Sequence, residues 1–529
     1  MRINPPPLFE KRKLSKKGSF RLSKSSKKWW GVNPYIFRAY DIRGIYKKDI
    51  DEELFFKIGF ILGKAKRKFV VGNDIRKSGK KLARALGEGL TFAKAKTIYT
   101  GTTSFGQTLF AGWKLKAYKT LFVTASHLPP EWNGLKIYYG NGIPISEKEI
   151  QTIKEKVLKL GNQKGKKRKP QVKKIDPKKD YLQFFLDKFS HLKRNNLKLV
   201  LDCGNGSMCL SAPEVFKKLG FNLSEIFCKP DPDFPNRQSE PTFEATKFLR
   251  EKVVSKKADF GVAFDGDGDR AVIIDDKGRY LKGDVVGMII AKNILKISKN
   301  KKIVATLPCS MALEKELKDA KIKRVQVGHT FLVLNCKKER AIFGVEESSH
   351  FCFPQYFWFD DAILVPLKIA EILIKEKKKL SQIVDEIKIY PFEEIKFNCL
   401  DEIKFKVIKD LKDEFKKEYS KVTTIDGVRV NFDFGWILIR ASNTSPIIRL
   451  YVEAENKEKL ENLKEKFSKV LKENLGQKLN KQIRLNYSID DTIIGGFIAK
   501  IGDTVHDASV KHQLELLKKK FLEGGVTLN

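Results

Sequence analysis

Apolar positions along the first 32 residues show little periodicity, and proline, serine and lysine dominate, the composition of a disordered basic tail. At Tyr35 the pattern changes. IFRAYDIRGIY (36–46) reads as a strand, and apolar residues every three to four positions predict an amphipathic helix over Asp51 to Lys66. FVVGND (69–74) reads as a buried strand, a helix is expected over Lys80 to Ala95, and TLFVTAS (120–126) reads as another strand. Such alternation predicts α/β structure. The Gly- and Lys-rich stretch 161–174, GNQKGKKRKPQVKK, predicts a linker without P-loop spacing.

The alternation then restarts. LKLVLDCGNG (197–206) is a strand entering a Gly-rich turn, followed by a helix to Leu219, and ADFGVAFDGDGDR (258–270) is a strand ending in an acidic loop. A third unit has a helix near Val285 to Ile297, the strand KIVATL (302–307) and a helix from Asp361. Beyond Tyr390 strands and helices separate: VRVNFDFGWILIRAS (428–442), IIRLYVEA (447–454), then a helix over Lys457 to Leu471, an α+β pattern. Three α/β units of similar size read as copies of one fold.

A length of 529 residues predicts roughly three to five domains. No apolar run reaches the roughly 20 residues of a membrane span, and no apolar stretch near the start has signal-peptide form. The seven cysteines are scattered without C-x-x-C spacing, which argues against a zinc site or disulfide framework and for a reducing cytoplasm. The net charge of +40 raises nucleic acid as a partner. It comes mostly from lysines spread over the whole chain, with no nucleic-acid-binding signature, so nucleic acid is not expected.

Four loops carry candidate chemistry. In DGDGDR (265–270) three carboxylates alternate with glycines behind a buried strand, a set of hard oxygen ligands suited to magnesium; the alternative is a solvated acidic turn. TASH (124–127) puts a serine at a strand end. Acyl transfer with His127 as base is conceivable, but no G-x-S-x-G elbow is present, and a serine facing a metal loop fits phosphoryl transfer. RASNTSPIIR (440–449) offers two guanidinium forks and several hydroxyls, either a phosphate cradle or a polar loop. In GVEESSH (344–350) an extended loop would point Glu346 and Ser348 the same way, toward neighbouring sugar hydroxyls; alone it equally fits a polar loop.

In order, FRAYDIRG (37–44), TASHLPPEWNGLK (124–136), FDGDGDR (264–270), GVEESSH and RASNTSP resemble the signature loops of the α-D-phosphohexomutases, over roughly residues 35–473. The resemblance implies three related α/β domains and a C-terminal α+β domain around one cleft, with residues 1–32 as tail, domains at 33–165, 166–278, 279–388 and 389–475, and a segment at 476–529. It implies a mutase interconverting hexose 1-phosphate and hexose 6-phosphate through a phosphoserine and a 1,6-bisphosphate. Ser126 matches the phosphorylated serine. Asp265, Asp267 and Asp269, with an oxygen on Ser126, match the ligands of one Mg2+. Glu346 and Ser348 match the sugar-binding pair. Arg440, Ser442, Asn443, Thr444 and Arg449 match the phosphate loop. Tyr40, Arg43, Lys136, Arg270, His329 and His350 match other active-site positions. Of the proton-transfer candidates His350 titrates nearer neutrality, whereas Lys136 would need its pKa lowered. Glucose or mannose 1,6-bisphosphate is the implied activator.

Leu128 stands where the family usually has Asn, and Val345 and Ser349 where it has glycine; Ser349 is the greater concern, since glycine can adopt angles other residues resist. FRAYDIRG and RASNT resemble the phosphomannomutase/phosphoglucomutase branch, with phosphoglucosamine mutase as the alternative. QKLNKQIRLNYSIDDTIIGGFIAKIGDTVHDASVKHQLELLKKKF (477–521) resembles the C-terminal segment of the ATP synthase δ subunit; a strand pair about Gly502-Asp503 and a helix over Ala508 to Phe521 are expected. That segment is too small for its own core. A non-catalytic scaffold linked to ATP synthase is the alternative from another class, and intact Ser126 and aspartates argue against it.

Overall fold

The computed structural model describes residues 33–160, 172–193, 195–442, 447–479, 498–501, 504–507 and 514. The expected tail (1–32), most of the expected linker, and the C-terminal helix except position 514 lie outside the described residues. The chain divides into two units, residues 1–465 and 466–529.

In the first unit four sheets follow one another. The first has the strand order Ile42–Ile45, Trp132–Tyr139, Lys119–Val123, Lys68–Asn73, Lys96–Thr102, Val172–Lys174. The second runs Tyr280–Leu281, Ala271–Asp275, Phe260–Phe264, Lys198–Asp202, Asn222–Ile226. The third runs Lys321–Val325, Lys302–Thr306, Phe343–Val345, Phe351–Cys352. All three share one pattern. A first strand is flanked on one side by the second strand in parallel, and on the other by a third, parallel strand whose antiparallel return lies beyond it. The fourth sheet, Phe392–Asn398, Ile447–Ala454, Gly435–Ala441, Val428–Phe432, Val422–Thr423, is wholly antiparallel. The α/β and α+β expectations hold.

This topology places the chemistry. Each candidate loop is the turn between a third strand and its antiparallel return: TASH after Lys119–Val123, DGDGDR after Phe260–Phe264, EESSH after Phe343–Val345. The phosphate loop is likewise the turn between Gly435–Ala441 and Ile447–Ala454. The third strands of the α/β sheets are fully buried FGVAF- and KTLFV-type runs, as strands covered on both faces must be.

One apolar core runs through all three α/β units, from Phe105 and Phe110 through Tyr181, Phe185 and Phe264 to Phe357 and Phe359. Phe357 stacks on Phe359 at 4.5 Å and packs on Phe184 at 4.8 Å. Phe55, Phe69, Leu86 and Ile150 form a second core in the first domain, and Leu307 with Trp436, Leu438 and Tyr451 seals the third domain to the fourth. The helix Phe105–Lys114 starts at a capping box, Ser104 with Gln107, which fixes its N-terminus against the acidic loop.

Four local expectations differ. Only Ile42–Ile45 of IFRAYDIRGIY is strand, preceded by a 3-10 turn at Pro34–Ile36, since Asn33 caps the Tyr35 amide. The linker of 161–174 ends in the strand Val172–Lys174, an edge of the first sheet whose lysines disguise it as loop; the first sheet therefore extends past residue 165. VRVNFDFGWILIRAS is two strands, joined at Asp433-Phe434. In the second unit the strands Ile498–Ile501 and Thr504–Asp507 pair antiparallel, as expected; their turn lies outside the described residues. The helix from Lys457 ends at Leu479 rather than Leu471.

Candidate active site

Ser126 is 1 % exposed and sits at φ 52, a left-handed angle. Its amide donates to Thr124 Oγ1 (2.8 Å), and that hydroxyl donates to Asp74 Oδ2 (2.8 Å). Beneath the loop Arg76, paired with Asp74, donates to the carbonyl oxygens of Ser126 (2.8 Å), Leu128 (2.6 Å), Pro129 and Trp132 (3.2 Å). The turn is thus wrapped around one buried guanidinium, which turns the Ser126 hydroxyl toward the second domain. Ser126 Oγ donates to Asp265 Oδ2 at 2.8 Å and lies 3.3 Å from His127 Nδ1.

The acidic loop is built as tightly. Asp265 Oδ1 accepts from the amides of Gly268 (3.0 Å), Asp269 (3.1 Å) and Arg270 (3.2 Å). Each α/β domain holds one carbonyl of the loop: Ser207 N donates to Gly266 O (2.9 Å), Phe105 N to Asp267 O (2.9 Å) and Ala362 N to Gly268 O (3.3 Å). Both glycines are required. A Cβ on Gly266 would lie 2.4 Å from Ser126 O, and Gly268 is left-handed at φ 86. Carboxylate oxygens of Asp265, Asp267 and Asp269 lie within 4.8 Å of one another. Lys136 Nζ donates to Asp267 (2.9 Å) and to Asp269. Asp267 Oδ1 and Asp269 Oδ1 are buried with no hydrogen-bond partner among the described residues. Burial, with Asp269 and Asp267 adding to it, pushes the Asp265 carboxyl well up. Burial works the same way on Asp269, but Lys136 and its other cationic neighbours outweigh it and hold that group well below its ordinary value.

Around this centre lies a cavity of about 170 Å³, lined by Tyr40, Arg43, Ser126, Asp269, Arg270, His329, Glu346, Ser348, His350, Arg440, Ser442 and Arg449, with others between them. Asp265 meets this lining through Ser126, and Lys136 meets it through Asp269. The larger hollow beside Trp113 and Tyr118 carries none of these residues. Arg43 is fixed by Asp41 at 2.6 Å. Tyr40 packs edge-on to His329 at 5.3 Å, and burial pushes its hydroxyl up to about 12. Glu346 Oε1 accepts from Gly328 N (2.7 Å), while its Oε2 is buried without a partner among the described residues. His329 Nε2 meets the Tyr138 hydroxyl at 2.9 Å, and burial drops the ring to about 3. Arg440 Nε donates to Asp426 (3.0 Å), Arg449 Nη1 to Glu394 (2.6 Å), and Ser442 N to Ile447 O (2.9 Å). Asn443 and Thr444 lie outside the described residues.

Several expectations need correction. Glu346 and Ser348 do not alternate along an extended loop: Ser349 N bonds Glu346 O (3.1 Å) and Glu346 N bonds His350 O (3.0 Å), so the segment is a tight turn, though both side chains still face the cavity. His350 does not titrate near neutrality. Burial, together with the Arg270 charge, pulls it well below its ordinary value despite Asp269. Its Nε2 accepts from Arg270 Nε (2.9 Å), so the neutral ring carries its proton on Nδ1, which donates to Asp360 (3.0 Å). Burial would lower Lys136, but Asp267 and Asp269 outweigh it and hold the ammonium above its ordinary pKa. The three departures from the family pattern are accommodated unequally. Leu128 serves through its backbone, its carbonyl accepting from Arg76 and Ser239. Val345 packs into the space opened by Gly287, where a Cβ would lie 2.4 Å from its Cγ2. Ser349 stands at φ 68, strained for a non-glycine.

Sequence reasoning missed Asp74 and Arg76, Asp360, Glu240 (which pairs with Arg270 at 3.3 Å), Asp426 and Glu394. Asp74-Ile75-Arg76 repeats the Asp41-Ile42-Arg43 pattern after a strand, a signal that could have flagged the first pair. The others are distant in sequence from what they touch.

Family models described as "Phosphoglucomutase/phosphomannomutase, alpha/beta/alpha domain" I, II and III match residues 34–164, 179–278 and 282–390, and the model of that family's C-terminal domain matches 394–470. A model of the ATP synthase delta (OSCP) subunit matches residues 456–521. A phosphoglucomutase/phosphomannomutase of Thermococcus kodakarensis is 32 % identical over 453 residues, covering 83 % of this chain and 99 % of that protein. A phosphoglucosamine mutase of Methanocaldococcus jannaschii is 32 % identical over 448 residues, covering 83 % and 99 %. Among solved structures, a phosphoglucomutase/phosphomannomutase family protein from Burkholderia thailandensis superposes with a TM-score of 0.76 at 28 % identity, covering 84 % of this chain and 98 % of that one.

Proposed function

The chain belongs to the phosphoglucomutase/phosphomannomutase family, and we propose that it moves a phosphoryl group between C1 and C6 of glucose or mannose phosphates through Ser126. The observation that carries this reading is the Ser126 Oγ to Asp265 contact of 2.8 Å beside two buried, unpartnered carboxylate oxygens on Asp267 and Asp269. A carrier hydroxyl touching a set of hard anionic ligands is what metal-assisted phosphoryl transfer needs, and an acyl-transfer hydroxyl has no use for it.

The three aspartates fit one Mg2+ per site: their oxygens converge, and two have no other partner among the described residues. When bound, the ion would offset charge on the phosphoryl oxygens. The chain's own groups do the rest. Arg43 and Arg270 face the space beside Ser126 and supply positive charge there. Glu346 and Ser348 hold sugar hydroxyls, and Arg440, Ser442 and Arg449, with Asn443 and Thr444, hold the phosphate that is not reacting. Lys136, kept protonated by two carboxylates, is a charge partner and not a base. His350 is a neutral ring whose acceptor nitrogen is covered by Arg270. When Arg270 turns to the phosphoryl group, Nε2 is uncovered and can take the proton of the attacking sugar hydroxyl, with Nδ1–H still on Asp360. The hexose 1,6-bisphosphate so formed must turn end for end before Ser126 takes back its other phosphate. The same bisphosphate, added from outside, would prime an unphosphorylated Ser126. The reading places the reaction in a reducing cytoplasm, where seven free cysteines are at home; no helix among the described residues is long and apolar enough to cross a membrane.

A substrate panel tests the reading. Mannose 1-phosphate and glucose 1-phosphate, with magnesium and trace bisphosphate, should yield the 6-phosphates, and Ser126→Ala should abolish the yield. Turnover confined to glucosamine 1-phosphate would favour the amino-sugar alternative, which relatives of that name keep open.

A further inference from the structure

The cations that face the cleft have acidic partners, and those partners differ in kind. Asp426, on Arg440, also accepts from Val327 N at 3.0 Å, so it ties the fourth domain to the third whatever else it does. Glu394 has no such second side-chain hydrogen bond among the described residues. It lies on the edge strand Phe392–Asn398, opposite Tyr451, and Arg449 Nη1 at 2.6 Å is the hydrogen-bond partner of its side chain among the described residues. Both side chains are about a quarter exposed, 28 % for Glu394 and 27 % for Arg449, a setting in which an ion pair adds little to stability. Both line the cavity with Ser126, Arg440 and Ser442. Arg449 Nε is buried and unpartnered among the described residues, so the carboxylate leaves the guanidinium fork incompletely satisfied. A phosphate presents more oxygens, and a guanidinium binds a carboxylate and a phosphate through the same edge. The charge of Glu394 is felt within the cleft as well: Glu347, at the sugar loop, is pushed up to about 7 mainly by burial, with Glu394 among the contributing anions.

We propose that Glu394 is a competing anion, which holds Arg449 when no phosphate is present and which the non-reacting phosphate of the substrate must displace. This rests on the reading of Arg449 as a phosphate-binding residue. The consequence follows from the turning step. A bisphosphate held too firmly at one end cannot release, rotate and rebind, and a carboxylate waiting beside the guanidinium takes up the vacated hydrogen bond as the phosphate leaves. Glu394 thus weakens ground-state binding in favour of exchange.

Glu394→Gln removes the charge and keeps the size. Steady-state assays with glucose 1-phosphate should show KM lower by about two- to fivefold, with kcat not raised, because a displaced ion-pair partner of this exposure is worth no more than that. Inorganic phosphate, used as a competitive probe, should inhibit the variant at correspondingly lower concentration, while the thermal midpoint stays near that of the parent. Glu394→Asp, which keeps the anion but draws it back by one methylene, should lower KM less than the glutamine variant. An unchanged or raised KM, or an unchanged phosphate inhibition constant, overturns the proposal. Arg449→Ala separates the two ideas. If it raises KM while Glu394→Gln does nothing, only the competing-anion role falls; if it leaves KM unchanged, the phosphate role of Arg449 falls and takes the proposal with it.

Discussion

Ser126 Oγ and Asp265 Oδ2 lie 2.8 Å apart across the boundary between the first and second domains, although 139 positions separate them in the chain. Nothing local creates that contact. It depends on Arg76 folding the serine loop from below and on backbone donors from all three α/β domains holding the acidic loop from above. The contact also depends on Gly266, whose missing Cβ lets Ser126 O approach.

Gly266→Ala therefore tests positioning without touching a functional group. Its methyl would sit 2.4 Å from Ser126 O, so the two loops must part. Because misplacing a reacting group by about 1 Å can cost about a hundredfold, kcat/KM should fall by at least that factor, while circular dichroism shows a folded chain.

Arg76→Met should be mainly a stability defect. It leaves Asp74, 1 % exposed, as an unpaired buried charge and strips donors from the carbonyls of Ser126, Leu128, Pro129 and Trp132. Breaking a buried pair of this kind costs roughly 3–5 kcal/mol, readable in urea unfolding. Arg76→Lys should recover little, since one ammonium cannot span the same carbonyls.

Ser349→Gly should stabilise. At φ 68 the serine pays a left-handed penalty of about 1–2 kcal/mol, partly offset by the greater unfolded-state freedom of glycine, about 0.4–1 kcal/mol. A net gain of roughly 0.5–1 kcal/mol is expected in the same unfolding measurement.

How much of this was legible in the sequence follows from how local each feature is. DGDGDR after an apolar strand specifies its own turn, and alternating strands and helices specify α/β layers. The capping box at Ser104 and Gln107 is likewise written in four residues. Lys136 is different. Its apolar neighbours on the strand Trp132–Tyr139 mark it as buried, but its protonated state is decided by Asp267 and Asp269, more than a hundred positions away. His350 misleads for the same reason: an imidazole reads as a group titrating near neutrality until its burial and the Arg270 charge are known. Val172–Lys174 reads as linker because an edge strand needs few apolar residues.

Asp361 gives the fold a pH dependence of known sign. Burial pushes its carboxyl up to about 7, with the Tyr181 hydroxyl at 2.9 Å opposing. Between its ordinary value of about 4 and that value, the unfolded chain releases a proton that the fold retains. The folded state then binds more protons, so this contribution to stability is intact below about pH 4 and is lost as pH rises through about 7. Asp361→Asn cannot ionise. Its unfolding free energy should fall less than the parent's between about pH 5 and 7.5, by roughly 2–3 kcal/mol.

The central claim is that the hydroxyl of Ser126 carries the phosphoryl group, and peptide mapping tests it most directly. The protein is incubated with glucose 1,6-bisphosphate and magnesium, quenched in acid and digested, and phosphorylated peptides are identified by mass spectrometry. The account predicts a phosphate on Ser126, removed again when the protein meets glucose 1-phosphate. Turnover with no phosphate on Ser126, or with phosphate on another side chain that discharges to the sugar, would contradict it.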